Sequence, residues 1–139
     1  MFIEEYDYKV VIGDTALKII AQANPDNLNV AEAEAIEEIS GYLRPKYDCE
    51  AIFSAEHEDR NRQILMYACD IALYHLASSL PNKMGMDIRK ERYERAVEWL
   101  KSVQAGTVLP DLPMALNEDG QVAAPSILYG SQPCVDNSY

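Results

Sequence analysis

The stretch ILMYACDIALYHL, residues 64–76, decides the fold of this 139-residue chain. When it is wound at 3.6 residues per turn, apolar side chains fall on nearly every face of the helix. A helix that is apolar all round is enclosed by other helices or by partner subunits. We therefore expect a helix from about Glu56 to Leu80, ended by Pro81, to be the centre of the core.

A second long helix is predicted after the loop at residues 82–86. Asp87 is expected to cap it, and Gly106 is expected to end it just after Ala105. Apolar residues at helical spacing mark its predicted buried face, with Ala96 and Trp99 alongside. These residues are Ile88, Tyr93, Val97 and Leu100.

A third long helix is predicted before the central one. Asn29 with Glu32 three positions later resembles a capping box, and Pro45 should end the helix at Arg44. Gly41 lies inside this helix, where it would permit close packing or a bend. The predicted buried stripe is Val30, Ala33, Ile36, Ile39 and Leu43.

The first 27 residues predict two short helices and a turn. Residues 5–12 form the first helix, which Gly13 ends, and Asp14 or Thr15 can cap a second helix that reaches Ala23. Residues 24–27 read as a turn, and residues 46–56 as a connection.

These elements predict an all-α fold, a small bundle of four to five helices in residues 1–106. Residues 107–139 differ, because they hold four of the seven prolines, lack Lys and Arg, and show no helical period. Apolar residues nevertheless recur along them, which is typical of an arm that lies on a partner's surface. We predict an extended C-terminal arm, whose partial removal at residues 113–139 should leave the bundle folded.

The net charge of −11 argues against general DNA binding, because such a surface repels phosphates. Residues 1–59 hold 14 acidic and four basic side chains, whereas residues 60–101 hold five acidic and eight basic ones. The two segments could meet head to tail between copies. The alternative, which the sequence alone favours, is that they neutralise each other within one fold.

The motifs of common enzyme and metal sites are missing from this sequence. It has no glycine-rich phosphate loop and no Cys-x-x-Cys pair, and its three cysteines are too widely spaced for a metal site or a disulfide framework. His57 and His75 are the only histidines, and His75 is expected to be a packing residue at the helix boundary. We predict no catalytic residue, no cofactor and no metal ligand, and hence no enzyme.

Asp70 is the unusual residue of the central helix, since a buried carboxylate is costly without a partner. A catalytic acid or metal ligand is one reading. The favoured reading is a structural pair with Arg44, Arg92 or Arg95, or an acceptor of hydrogen bonds from a tyrosine or from helix amides.

No apolar run approaches the roughly 20 residues of a membrane span, so no membrane partner is expected. The first seven residues, with Glu4, Glu5 and Asp7, lack the positive end of a secretory signal. Unpaired cysteines suit a reducing compartment such as a bacterial cytoplasm.

Four blocks of this sequence resemble a family of small proteins from Mu-like phages that is grouped with head–tail connectors, or adaptors. The likeness spans about residues 1–112, and the tail beyond Leu112 and His57–Asp59 depart from it. The four blocks are EEYDYKVVIGDTALKIIAQ at 4–22, AEAEAIEEISGYLRPKY at 31–47, CDIALYHL at 69–76 and RYERAVEWLKSVQAGTVLP at 92–110.

The resemblance implies a structural protein of the virion neck, synthesised in the host cytoplasm. It implies a homo-oligomeric ring, commonly twelve-fold, that binds the portal protein and a tail or stopper protein, while DNA passes through without sequence-specific binding. Two alternatives stay open: a tail-completion or stopper protein of the same neck, and a small cytoplasmic regulator that binds a basic partner through its Glu-rich third helix.

Overall fold

The computed structural model describes residues 2–23, 25–78 and 86–116, and within them the chain is all-α, as predicted. Six α-helices and one short 3₁₀ turn, His57–Asp59, occur there, and no strand does. The helices are α1 Glu5–Ile12, α2 Asp14–Ala23, α3 Pro25–Leu43, α4 Cys49–Ser54, α5 Arg62–Ser78 and α6 Met86–Ala105. None of these helices is long and apolar enough to cross a membrane.

The central helix of the prediction is α5. It packs against α3 and α6 along its length and against α1. Most side chains of the stretch 64–76 are enclosed by these neighbours, which explains its apolar character, while Met66 is exposed. Its buried residues are Ile64, Tyr67, Ala68, Cys69, Asp70, Ile71, Ala72, Leu73, Leu76 and Ala77.

Several helix ends lie where single residues predicted them. Gly13, with φ of +84°, follows α1, and α3 ends at Leu43, two residues before Pro45. Gly106, also at φ of +84°, follows α6. Its N–H donates to the Val103 carbonyl (3.0 Å), and the Thr107 N–H donates to the Ser102 carbonyl (2.9 Å). These two bonds form a Schellman motif.

Several predicted helix starts were wrong. Residues 25–27, predicted to lie in a turn, belong to α3 instead, and Asn24 lies outside the described residues. Helix α3 begins at Pro25, whose missing N–H suits a first helical turn. The capping box at Asn29 is therefore absent. The central helix begins at Arg62, not Glu56, because Asn61 Oδ1 accepts hydrogen bonds from the next free amides, those of Gln63 and Ile64 (3.0 Å each).

Two further boundaries needed correction. The connection at residues 46–56 contains α4, which Asp48 caps by accepting a hydrogen bond from the Ala51 N–H (3.1 Å). Because α6 begins at Met86, Asp87 lies inside its first turn and does not precede it. The predicted loop at 82–85 and the predicted helix end at Leu80 lie outside the described residues.

The predicted stripes on α3 and α6 were only partly right. Val30 and Ile88 are exposed, and Ala31 and Ala35 are buried in place of Ala33. On α6 the fully buried side chains are Ala96, Leu100 and Val103. Small residues at the buried positions allow neighbouring helices to approach closely, which apolar spacing alone does not reveal.

Residues 107–116, here called the strap, run back across the bundle. The Asp48 N–H donates to the Pro113 carbonyl (2.9 Å), and the Ala115 N–H donates to the Lys46 carbonyl (3.0 Å). These bonds make an isolated antiparallel bridge between Tyr47 and Met114. Leu112 joins the core with 8% exposure. The predicted arm therefore begins on the surface of its own bundle, and its residues 117–139 lie outside the described residues.

Candidate interaction site

Asp70 is paired, as the structural reading predicted, and its partner is Arg92. The Arg92 Nε donates to Asp70 Oδ1 at 2.6 Å, joining α5 to α6. Burial raises the pKa of the Asp70 carboxyl, and the Arg92 guanidinium partly offsets that rise. The carboxylate is thus engaged in a helix-to-helix contact, which leaves it poorly placed for acid or base chemistry.

Two more arginines lie near this pair on α6. Arg89 precedes Arg92 by three residues, and Arg95 follows it by three, so all three project from neighbouring parts of one face. Arg95 reaches Glu91 at 3.5 Å. Arg89 Nη1 is buried without a hydrogen-bond partner, and it is the one such side-chain nitrogen or oxygen in the described chain.

His75 lies in an aromatic cluster at the helix boundary. Its Nε2 is 3.2 Å from Glu38 Oε1 on α3, and its ring packs edge-on against Tyr74 and Tyr93. The two tyrosine rings stack with centroids 4.2 Å apart. Burial and the adjacent Glu38 raise the pKa of Tyr93 to about 12. The cluster closes the gap between α3, α5 and α6, which is the packing role expected for His75.

The two cysteines of the described residues, Cys49 and Cys69, are shielded from solvent to different degrees, and Cys134 lies outside those residues. Cys69 is buried in the core, and burial raises the pKa of its thiol strongly. Cys49 is half-buried, and burial raises its thiol pKa as well. High thiol pKa values leave little reactive thiolate at neutral pH. Across the described ranges, no group of three His, Cys, Asp or Glu side chains could hold a metal ion.

A cleft of about 290 Å³ lies between the strap and the bundle. Parts of α4, residues 59–61 and residues 111–113 line it. The Asn61 side-chain amide donates to the Asp111 carbonyl (3.1 Å) and holds the strap against the start of α5. Beside the cleft the strap exposes Leu109, Met114 and Leu116. The lining residues of the cleft are partly charged, as Asp59, Arg60 and Asp111 are, and partly apolar, as Ile52 and Leu112 are.

Within the described residues, Arg60 is the one Lys or Arg of the basic segment that pairs with carboxylates of the acidic segment. Arg60, from the basic segment, is 2.6 Å from Asp7 and also donates to the Phe2 carbonyl (2.8 Å). Other cations pair along their own helices, as Lys90 does with Glu94 and Lys9 with Glu5. A set of exposed carboxylates has no such partner among the described residues. The set is Glu34, Glu50, Glu56, Glu58, Asp59, Asp87, Glu98 and Asp111.

Two polar contacts of the core had no signal in the sequence. Arg60 and Asp7 are 53 residues apart in the sequence, and helical periodicity predicts no contact between residues so far apart. Glu32 was expected at a helix N-terminus, yet it is buried on α3 and accepts the Ile3 N–H at 3.2 Å. Together these contacts fix the first residues of the chain to the bundle.

The helices and strap described above fall within a match to a known family. The family model of Bacteriophage Mu, Gp36 matches residues 3–125. No curated protein and no solved structure matches the chain. The family match spans well over half of the chain, and it confirms the resemblance to Mu-like phage proteins. The chain therefore belongs to the Bacteriophage Mu Gp36 family.

Proposed function

We propose that this protein is a structural head–tail connector, or adaptor, of a tailed phage. In this proposal identical copies form a ring in the virion neck, between the portal and the tail or stopper protein, and DNA passes through it. The observation that carries the proposal is the family match over residues 3–125, which makes the chain a Mu-like phage protein.

The geometry is compatible with a building block of an assembly. The bundle is held by a buried central helix, and its most unusual buried residue, Asp70, serves a contact between helices. The strap exposes Leu109, Met114 and Leu116, and exposed apolar side chains close together are typical of contact surfaces. The net charge of −11 suits a passage that must not retain DNA.

The test is the mass of the purified full-length chain in solution, alone and mixed with the portal protein of the same phage, by light scattering. A large discrete complex with portal is expected, with a mass that gives the number of copies. A chain that stays small and does not bind portal would contradict the connector role. It would favour the stopper or the regulator, for which the next partner to test is a tail protein or a basic host protein.

A further inference from the structure

The strap has a second edge, opposite the one that pairs with the bundle. The Pro113 carbonyl and the Ala115 N–H point toward the bundle, where they bond to Asp48 and Lys46. In an extended strand, successive residues direct their N–H and C=O groups to opposite sides. The N–H and C=O of Met114 therefore point to the other edge, where they bond to no described residue. We call this side of the strap the open edge.

Leu116 shows that the open edge has a pairing partner. It takes part in a β-bridge, yet the bridge that joins two described residues is the one between Tyr47 and Met114. The partner of Leu116 therefore lies outside the described residues. Because Leu116 and Met114 are two residues apart, their backbone groups face the same edge.

The residues that follow the strap carry the signal of a tight reversal. Residues 117–120 read Asn-Glu-Asp-Gly, and Asp-Gly is one of the strongest short-range signals of a β-hairpin. Hairpin loops of four residues are most often built around a type I turn. Gly120, at the last loop position, can adopt the positive φ that returns the chain toward the strap.

A four-residue loop also fixes the register of such a hairpin. It places Gln121 opposite Leu116 and Ala123 opposite Met114, so the N–H and C=O of Met114 both meet a partner. Pro125 has no N–H to donate and would end the added strand. The family match extends across these residues and ends at Pro125.

Other segments outside the described residues fit the open edge less well. Residues 79–85 connect α5 to the start of α6, whereas the strap follows the end of α6. A helix of 20 residues separates those two points by roughly 30 Å. Residues 126–139 would reach the edge only through a longer loop, whose closure costs more entropy than a four-residue turn.

We infer that residues 121–124 add to the open edge of the strap as an antiparallel strand of the same chain. The short loop keeps the two strands close, so pairing within one copy is favoured over capture of a second copy's segment. A free strand edge is a template for pairing with other chains, and this cover removes it. The pairing does not depend on the proposed connector role, and it leaves residues 126–139 as the part of the arm available to a partner.

Cysteine pairs test the register in solution. In a chain with Cys49→Ser and Cys134→Ser, Ala115→Cys is combined with either Val122→Cys or Ala123→Cys. Residues 115 and 122 would form a non-hydrogen-bonded pair, close enough for a disulfide, whereas the side chain at 123 points to the opposite face. The measured quantity is the effective concentration of each disulfide in a glutathione buffer. It should be about tenfold higher, or more, for the 115–122 pair.

Two results would overturn the inference. Equal effective concentrations for the two cysteine pairs would show that the segment has no preferred register on the strap. Disulfides that link two chains, detected by mass under non-reducing conditions, would place the strand on a neighbouring copy. Cys69 stays in both chains, because its thiol is buried in the core.

Gly120→Val tests the turn by itself. A β-branched residue disfavours positive φ, so the preference for the 115–122 disulfide should fall toward that of the 115–123 pair. The matched control is Gly130→Val, which changes a glycine beyond the proposed strand and should keep the preference. A Gly120→Val chain with the full preference would contradict the turn at residues 117–120 and with it the hairpin.

Discussion

Glu32 shows how one buried carboxylate fixes a chain terminus. It is 3% exposed on α3, and it accepts hydrogen bonds from the Ile3 N–H (3.2 Å) and the Tyr8 hydroxyl (3.4 Å). Burial raises the pKa of Glu32, and these bonds only partly offset the rise. The Glu32 side chain therefore stabilises the fold as a hydrogen-bond acceptor, while its negative charge lowers the stability of the folded state.

Replacing Glu32 should separate these two effects. Glu32→Ala leaves Ile3 N–H and the Tyr8 hydroxyl without an acceptor and should lower the free energy of unfolding by about 2 kcal/mol or more. Glu32→Gln keeps an acceptor and should be tolerated. Urea unfolding measures both, with Glu34→Ala, an exposed position on the same helix, as a control expected to stay within about 0.5 kcal/mol.

The pH dependence of Glu32 has a defined sign. Because its pKa is higher in the folded chain than in the unfolded chain, the folded state binds this proton more tightly. Ionisation of Glu32 therefore costs stability at neutral pH, and the cost disappears as the pH falls to about 4. The stability of the wild type relative to Glu32→Gln should rise over that range. A constant difference would contradict the raised pKa.

Because Asp70 and Arg92 form a pair between α5 and α6, we expect replacement of Asp70 to lower the stability of the fold. Asp70→Ala strands the Arg92 guanidinium, and the expected cost is about 2 kcal/mol, below that of a fully buried pair because Arg92 keeps 32% exposure. Adding Arg92→Leu should recover part of this loss, and the double-mutant cycle gives the coupling energy. Unchanged melting of Asp70→Ala would contradict the structural role.

At the scale of helices, Gly106 and Gly41 differ in backbone conformation and in the space around them, so they can be compared directly. Gly106 adopts φ of +84° after α6, and an added Cβ would lie 3.3 Å from Lys46 Nζ. Gly41 lies inside α3, and an added Cβ would meet nothing within 4 Å, so the close packing expected there is absent. Gly41 is simply a weak point of the helix.

Alanine at these two positions should change stability in opposite directions. Gly106→Ala should cost about 1–2 kcal/mol, because a side chain disfavours the left-handed conformation. Gly41→Ala should stabilise the bundle by roughly 0.5–1 kcal/mol through higher helix propensity. Thermal melting of the two variants beside the wild type measures both shifts. A stabilised Gly106→Ala would contradict the Schellman geometry at the end of α6.

Leu112 decides whether the strap belongs to the core. It is 8% exposed, whereas Leu109 three residues earlier is 79% exposed. Leu112→Ala should lower the free energy of unfolding by about 2 kcal/mol, and Leu109→Ala should change it by less than about 0.5 kcal/mol. Equal effects in urea unfolding would show that the strap does not hold its position in solution.

The sequence predicted helix ends better than helix starts, for a physical reason. Ends at Gly13, before Pro45 and at Gly106 depend on the backbone of one residue. The start of α3 does not, because Pro25 can belong to a turn or to a first helical turn. Helix α4, with six residues, is too short to show a period.

For the whole molecule, prediction from sequence stopped at contacts between distant residues. Asp70 could be assigned a cationic partner from its apolar surroundings, and Arg92 was among the candidates. The unsatisfied Arg89 was not predicted, because its burial depends on how α6 is rotated against α5. The apolar residues of the C-terminal segment predicted a surface-binding arm, yet only the structure shows that residues 107–116 lie on the same chain's bundle.

Truncation separates the fold from assembly at this scale. Removing residues 117–139 keeps Leu112 and the bonds of Pro113 and Ala115, so the melting temperature should stay unchanged. Removing residues 113–139 deletes those two bonds, and a loss of roughly 1–2 kcal/mol is expected in a chain that still folds.

If the segment after the strap contacts a neighbour or the portal, both truncated chains should bind portal more weakly than the full chain, as measured by light scattering. The shorter cut is the informative one, because any loss of assembly it causes cannot come from a weakened bundle. Full portal binding by a chain ending at residue 116 would confine the partner contacts to the bundle and the strap.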